Sequence, residues 1–310
     1  MQGNAVKENR AARPAILAAL LRRTDPFSAG TQLLRRVVSQ PRGALGLAIV
    51  LLVVLAALFA HRIVPYDPAV QVLSDALLQP SPTHLIGTDE FGRDVFSRVV
   101  HGARASLQVG LISIVFSTVI GTLIGQIAGY CGGRPDEALM RIVDALLSFP
   151  ALMLALIINA ILGASLTNAI VAIAIVTTPG FARLARGETL AVRESEFVQA
   201  ARALGASNLR ILFRHILANI QSSLIVNASN QISGAIITEG SLSFLGLGVQ
   251  PPLPSWGSML RAGYGYLDTS PWLVLGPTLA IMVTVLGFNV LGDACQDASD
   301  PGFRQQRSVG

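Results

Sequence analysis

Charge is scarce in this chain. Only 13% of its 310 residues are Asp, Glu, Lys or Arg, against 52% hydrophobic residues and a mean hydropathy of +0.57, a balance foreign to a soluble protein of this size. Lysine is nearly missing: Lys7 is the only one, and it stands in no G-x-x-x-x-G-K-[ST] context. The chain therefore has no phosphate-loop lysine, and any ATP must be hydrolysed by another polypeptide. Cys131 and Cys295 are the whole supply of cysteine. Both fall near predicted inner ends of apolar runs and in no metal-ligand spacing, which argues against a disulfide framework or a zinc site. With neither H-E-x-x-H nor G-x-S-x-G present, the chain does not read as an enzyme.

Apolar sequence long enough to cross a bilayer is what it has in quantity. Six spans are expected, at about 45–64, 107–130, 139–162, 168–183, 222–244 and 271–291, which makes an all-α, polytopic membrane protein. The spanning domain takes 43–294, between an arm at 1–42 and a tail at 295–310. Outer loops fall at 65–105 and 245–270, and a long inner loop at 184–221. Arginine concentrates in the arm and in the 184–221 loop, so the positive-inside rule puts both, and the C-terminal tail, in the cytoplasm. The same placement accounts for the net charge of +5 without invoking nucleic acid. The first span reads as a retained anchor, because the arm is too long for a signal peptide and no A-x-A site follows. Within the arm, 16–21 and 33–38 are either short amphipathic helices or part of a flexible tail.

Individual residues carry further expectations. Gly121, Gly125 and Gly129 recur every four residues and invite a neighbouring helix to approach. Pro150 lies inside the third span, and Pro179-Gly180 is expected to break the fourth. Asp144 either pairs with Arg141 or reaches water. In the outer loop, Gly87 and Thr88 are expected to start an amphipathic helix with Phe91, Val95 and Val99 on one face and Asp94 paired with Arg98, lying along the membrane or on a partner. Trp256, Tyr264, Tyr266 and Trp272, with Tyr66, are expected to form an outer aromatic belt. Asp293, Asp297 and Asp300 match no calcium loop and read as a solvated tail.

Two stretches stand out as candidate functional sites. Glu196–Ala218 is polar and arginine-rich between two apolar runs. Phe197, Val198, Ala201 and Leu204 recur at helical spacing, Gly205 suits a left-handed helix end, and Ser207 can cap a second helix carrying Leu209, Leu212, Phe213 and Ile216. The fifth span carries Asn227, Asn230, Gln231, Thr238 and Ser241 on one face and Glu239 on a neighbouring arc. A face of that kind avoids lipid and lines either a translocation path or a partner helix.

Gln199-Ala200-Ala201, Gly205 and Ile216-Leu217 resemble the EAA loop of bacterial ABC importer permeases, with Gln199 in place of the usual Glu and Ala218 in place of the usual Pro. The string GTDEFGRDVFSR (Gly87–Arg98), FLGLGVQPPLPSWG (Phe244–Gly257) and LGDACQDASDP (Leu291–Pro301) are similar to segments of the branch that imports dipeptides, oligopeptides and nickel. The resemblance extends from Leu45 to Pro301. It implies a type I ABC importer permease fold in a bacterial cytoplasmic membrane, with Glu196, Phe197, Gln199, Ala200, Ala201, Arg202, Leu204 and Gly205 coupling to an ATPase. Implied partners are a second permease subunit, cytoplasmic ATP-binding subunits and an extracytoplasmic binding protein. No cofactor is expected on this chain, with ATP and Mg held by the ATPase. Peptides are the implied substrate, with nickel or glutathione as alternatives. The contrasting class is a secondary transporter driven by an ion gradient.

Overall fold

The computed structural model describes residues 35–299, and among them the chain is built of helices, with an isolated β-bridge between Thr88 and Asp94. The helix considered at 16–21, the start of that at 33–38 and the tail from Asp300 lie outside the described residues. α1 (Pro41–Leu58) starts on a proline at its first turn, where a missing N–H leaves no bond unmade. The single turn α2 (Ala60–Ile63) follows it. α3 (Val95–Cys131) has 37 residues, about 56 Å at 1.5 Å per residue, well beyond the hydrocarbon thickness. Then come α4 (Gly133–Leu147), α5 (Ala151–Leu162), α6 (Leu166–Arg193), α7 (Glu196–Ala203), α8 (Leu217–Phe244), α9 (Trp256–Tyr264) and α10 (Trp272–Ser299).

Glycine sets the tightest seam, between α3 and α6. A Cβ on Gly121 would fall 2.6 Å from Phe181 Cβ and 2.7 Å from Thr178 O; one on Gly125 would strike Ala182 O, and one on Gly129 would lie 2.9 Å from Arg186 O. Bare glycine lets the two backbones meet, and dispersion along the seam replaces lipid contact. Val109, Ile114, Ile173 and Phe181 continue into the same core.

Among the described residues, four helices, α1, α3, α6 and α10, are each long and apolar enough to cross a membrane, and α4 with α5 makes a fifth only as a pair bent by 92°. The third span is thus not the continuous helix expected over 139–162. It breaks at Ser148–Pro150, because proline disfavours helical backbone in the residue before it and cannot donate to the ladder. α4 is amphipathic and tied to α6 by charge. Arg186 donates to both carboxylate oxygens of Asp136 at 2.6 and 2.7 Å, and Arg183 bonds Asp144 at 2.6 Å, while Arg141 pairs with Glu137 rather than with Asp144. The Arg186 hydrogen bonds hold the Asp136 carboxyl below the usual carboxylate range.

α6, by contrast, runs unbroken through Pro179 and Gly180 to Arg193, past the expected end at 183. Pro179 is buried at the glycine seam, where packing outweighs the lost hydrogen bond. The expected inner loop at 184–221 is consequently mostly helical. α8 has 28 residues, enough length, but its Asn, Gln and Ser content keeps it below the hydropathy of a free span. It is packed against α3, α6, α9 and α10, so little of it needs to face lipid. α10 extends to Ser299, into the expected tail, and leaves Asp293 exposed and Asp297 half-buried on its last turns.

The outer-loop string differs most from expectation. The helix begins at Val95, continuous with α3, and Gly87 (φ +77) and Thr88 lie in the loop before it. Asp94 caps α3, accepting from Ser97 N at 2.8 Å and Ser97 Oγ at 2.6 Å, and meets His84 Nδ1 at 3.0 Å, so it is not available to Arg98. Asp89 does that work: it accepts from Phe91 N, Arg93 N and Arg93 Nε, and lies 3.4 Å from Arg98 Nε. Arg98 also donates to Pro68 O at 2.9 Å. The string is a polar knot fastening the loop to the start of α3, satisfied except at the buried Glu90 Oε2, which has no hydrogen-bond partner. Trp256 is not part of a belt either; it is 2% exposed and donates through Nε1 to Val99 O at 2.9 Å.

Candidate functional site

At the arginine-rich end, the chain leaves α6 and folds back as a short hairpin. α7 ends as expected at Gly205, whose φ of +81 is left-handed, with Gly205 N donating to Arg202 O and Ala206 N to Ala201 O. Ser207 Oγ then caps the turn Asn208–Arg210, accepting from Arg210 N at 3.4 Å. The next turn, Ile211–Ile216, is π-helical and feeds directly into α8, an irregularity that recurs at functional sites.

The expected apolar stripe of α7 divides in two. Val198 is fully buried and joins Ile211 and Ile216 in the core shared with α3 and α6, while Phe197 is 40% and Leu204 88% exposed. Glu196, Gln199, Ala200, Arg202 and Gly205 face outward, and Ala201 is half-buried beneath them. Of the apolar residues expected on the second helix, Leu209 and Phe213 are 68% and 51% exposed. Phe197, Leu204, Leu209 and Phe213 are therefore exposed in a segment that also exposes Arg202, Arg210 and Arg214. Gln199, where a Glu is usual, donates from Nε2 to Glu194 O at 3.0 Å and steadies the entry to α7.

Residues that sequence reasoning did not single out for the site hold this hairpin in place. Tyr130, at the end of α3, donates its hydroxyl to Asn208 Oδ1 at 2.8 Å, and the Arg202 guanidinium lies 5.6 Å from its ring centroid. Arg193 Nη1 donates to Gly129 O at 3.0 Å and Tyr130 O at 3.2 Å, a cation on the last carbonyls of α3. A lone tyrosine at an inner boundary was the available signal.

The polar residues of α8 divide between one half-open face and the buried Glu239. Asn227, Asn230, Gln231, Thr238 and Ser241 are half-buried. Asn230 Oδ1 abuts Gly292 of α10, and the Gln231 amide lies beside Gly180 of α6. Thr238 and Ser241 donate to Gly234 O and Ile237 O within their own helix. Glu239 is fully buried and turned toward α3, accepting from Ser106 Oγ at 2.9 Å and Ser243 Oγ at 2.7 Å. Ser243 Oγ in turn accepts from Val249 N at 3.1 Å, so the acid anchors the glycine- and proline-rich loop.

A helical bundle of this kind, with a hairpin at one end and a polar knot at the other, has the type I ABC importer permease fold. It matches a chain of the MetNI methionine ABC transporter in an inward-facing conformation with a TM-score of 0.54 at 19% identity, over 66% of this chain and 97% of that one. The model for binding-protein-dependent transport system inner membrane components matches residues 121–305, and that for the N-terminal transmembrane domain of oligopeptide transport permease C matches residues 28–80. The dipeptide transport system permease protein DppC of Alkalihalophilus pseudofirmus is 46% identical over 84% of this chain and 85% of its own length. The glutathione transport system permease protein GsiD of Pectobacterium atrosepticum is 42% identical over 94% and 98%, and the di/tripeptide transport system permease protein DppC of Pseudomonas aeruginosa 44% over 85% and 89%. The chain belongs to the family of binding-protein-dependent transport system inner membrane components, and is a membrane protein of the transport-permease class.

Proposed function

We propose that this chain is one permease subunit of an ATP-driven importer of short peptides. A second permease subunit completes the path, and an extracytoplasmic binding protein delivers the substrate. Dipeptides are the first substrate class and glutathione the second, since the similar proteins named above are called by those substrates. The arginine-rich end, with both termini, faces the cytoplasm. No cofactor belongs to this chain: ATP and Mg are held by separate ATP-binding subunits.

One observation carries the coupling role. The hairpin presents exposed Leu204 and Phe197 on a stem whose other side, Val198, Ile211 and Ile216, is buried in the bundle. An exposed apolar tip on an anchored stem suits a socket on another protein. Glu196, Gln199, Ala200, Ala201, Arg202 and Gly205 complete that surface. When ATP binding closes the ATPase pair, α7 moves with its socket, and the attached α6 and α8 tilt to switch access from outside to inside. Asn227, Asn230, Gln231, Thr238 and Ser241 are the candidates for contact with the passing solute, and Glu239 serves as an internal anchor. Family membership favours this over an ion-gradient-driven carrier.

Leu204→Glu tests the reading. The variant should insert normally, yet ATPase recovered with the solubilised chain and peptide uptake should each fall about tenfold or more, given what burying one leucine contributes. Unchanged uptake would refute the docking role.

A further inference from the structure

At the end of the bundle that carries the polar knot, α1 and α3 pack through Ala57, Ala103 and Leu107 and leave a groove beside that contact. Between them runs a cavity of about 500 Å3, walled by Val54 and Leu58 of α1, Leu107, Leu111 and Ile112 of α3, and Leu253 of the proline-rich loop. Along the same wall of α3, His101, Arg104 and Gln108 recur at helical spacing, with Arg104 and Gln108 exposed. The cavity is apolar along its length and polar at one rim.

Arg104 is fixed at that rim. Its Nε donates to Ala57 O at 2.7 Å and its Nη2 to Leu58 O at 3.1 Å, the last carbonyls of α1. Those carbonyls mark where the first apolar helix ends, so the guanidinium is held at the level of lipid headgroups with Nη1 left over as a donor. His101 Nδ1 is engaged with Ser97 O at 3.2 Å, which directs Nε2 elsewhere. The rim thus combines Arg104 with His101 and Gln108.

We infer that this groove holds an anionic phospholipid, with its phosphate at Arg104 and Gln108 and an acyl chain along Leu107, Leu111 and Ile112. A fixed guanidinium suits phosphate oxygens. The apolar walls suit a hydrocarbon chain and offer no carboxylate for the ammonium of a peptide. The inference rests on the membrane location of the chain and is independent of peptide transport.

The test uses the full chain purified with its co-purifying subunits, delipidated and mixed with phosphatidylglycerol or phosphatidylcholine. Native mass spectrometry counts the retained lipid. Phosphatidylglycerol should be retained about fivefold over phosphatidylcholine, the preference that one basic residue provides. Gln108→Glu, which puts an anion at the mouth, should abolish that preference, and Ile112→Trp, which fills the apolar floor, should reduce retention of both lipids. Equal retention of the two lipids by the parent, or unchanged retention in both variants, would overturn the assignment. So would a crosslink from Ile112→Cys to another subunit, since a protein helix would then occupy the groove.

Discussion

Glu239 and Gln231 share a helix and a polar character, yet only one of them is committed inside the subunit. Removing the acid leaves the Ser106 and Ser243 hydroxyls without their buried acceptor, so Glu239→Ala should lower stability by about 1–3 kcal/mol in thermal unfolding of the solubilised chain. Gln231→Ala should leave unfolding nearly unchanged and alter peptide uptake; the opposite pattern would exchange the two roles. Tyr130→Phe removes two exposed hydrogen bonds at the foot of α7, to Asn208 and from Arg202, together worth about 1 kcal/mol, and should raise protease cutting between 196 and 210 without affecting insertion. The polar character of α8 was legible from its composition. The direction of each side chain was not, because Ser106, Gly180 and Gly292 are distant in sequence and no local period reports them.

Packing between helices follows the same division between pattern and context. The glycine spacing on α3 announced a close seam, although not that α6 would fill it. Gly125→Val should force Ala182 away and cost about 1–3 kcal/mol by overpacking, whereas Gly187→Ala, with open space around it, should be neutral or slightly stabilising. Both appear directly in thermal unfolding. The two prolines show where sequence alone stops. Pro150 is exposed and ends α4 at a right-angled bend; Pro179 is buried at the seam and stays inside α6. Identical local chemistry gives opposite outcomes because neighbouring helices compensate only the second. Charge offers a further test on α4. The Asp136 carboxyl is depressed in the folded state, so its stabilisation is present above the unfolded value near 3.9 and fades as pH falls through the lower folded value. Asp136→Asn should remove about 1 kcal/mol at neutral pH, after allowance for solvent around Arg186, and should flatten that acid limb in a pH series of unfolding temperatures.

For the whole molecule, the Lys7 reading has a direct consequence: vesicles containing this chain alone should not accumulate peptide, and uptake should appear when ATP-binding subunits and a second permease chain are added. Accumulation by the lone chain would refute the division of labour. The general architecture was legible in the apolar runs, the polar 222–244 stretch of α8 included, while the right-angled bend between α4 and α5 was not. α3 has no such bend. It runs without interruption from the Asp94 cap to Tyr130, so the knot and the clasp are opposite ends of a single rod. A tilt imposed at one membrane face has no joint in which to dissipate, and must reappear at the other.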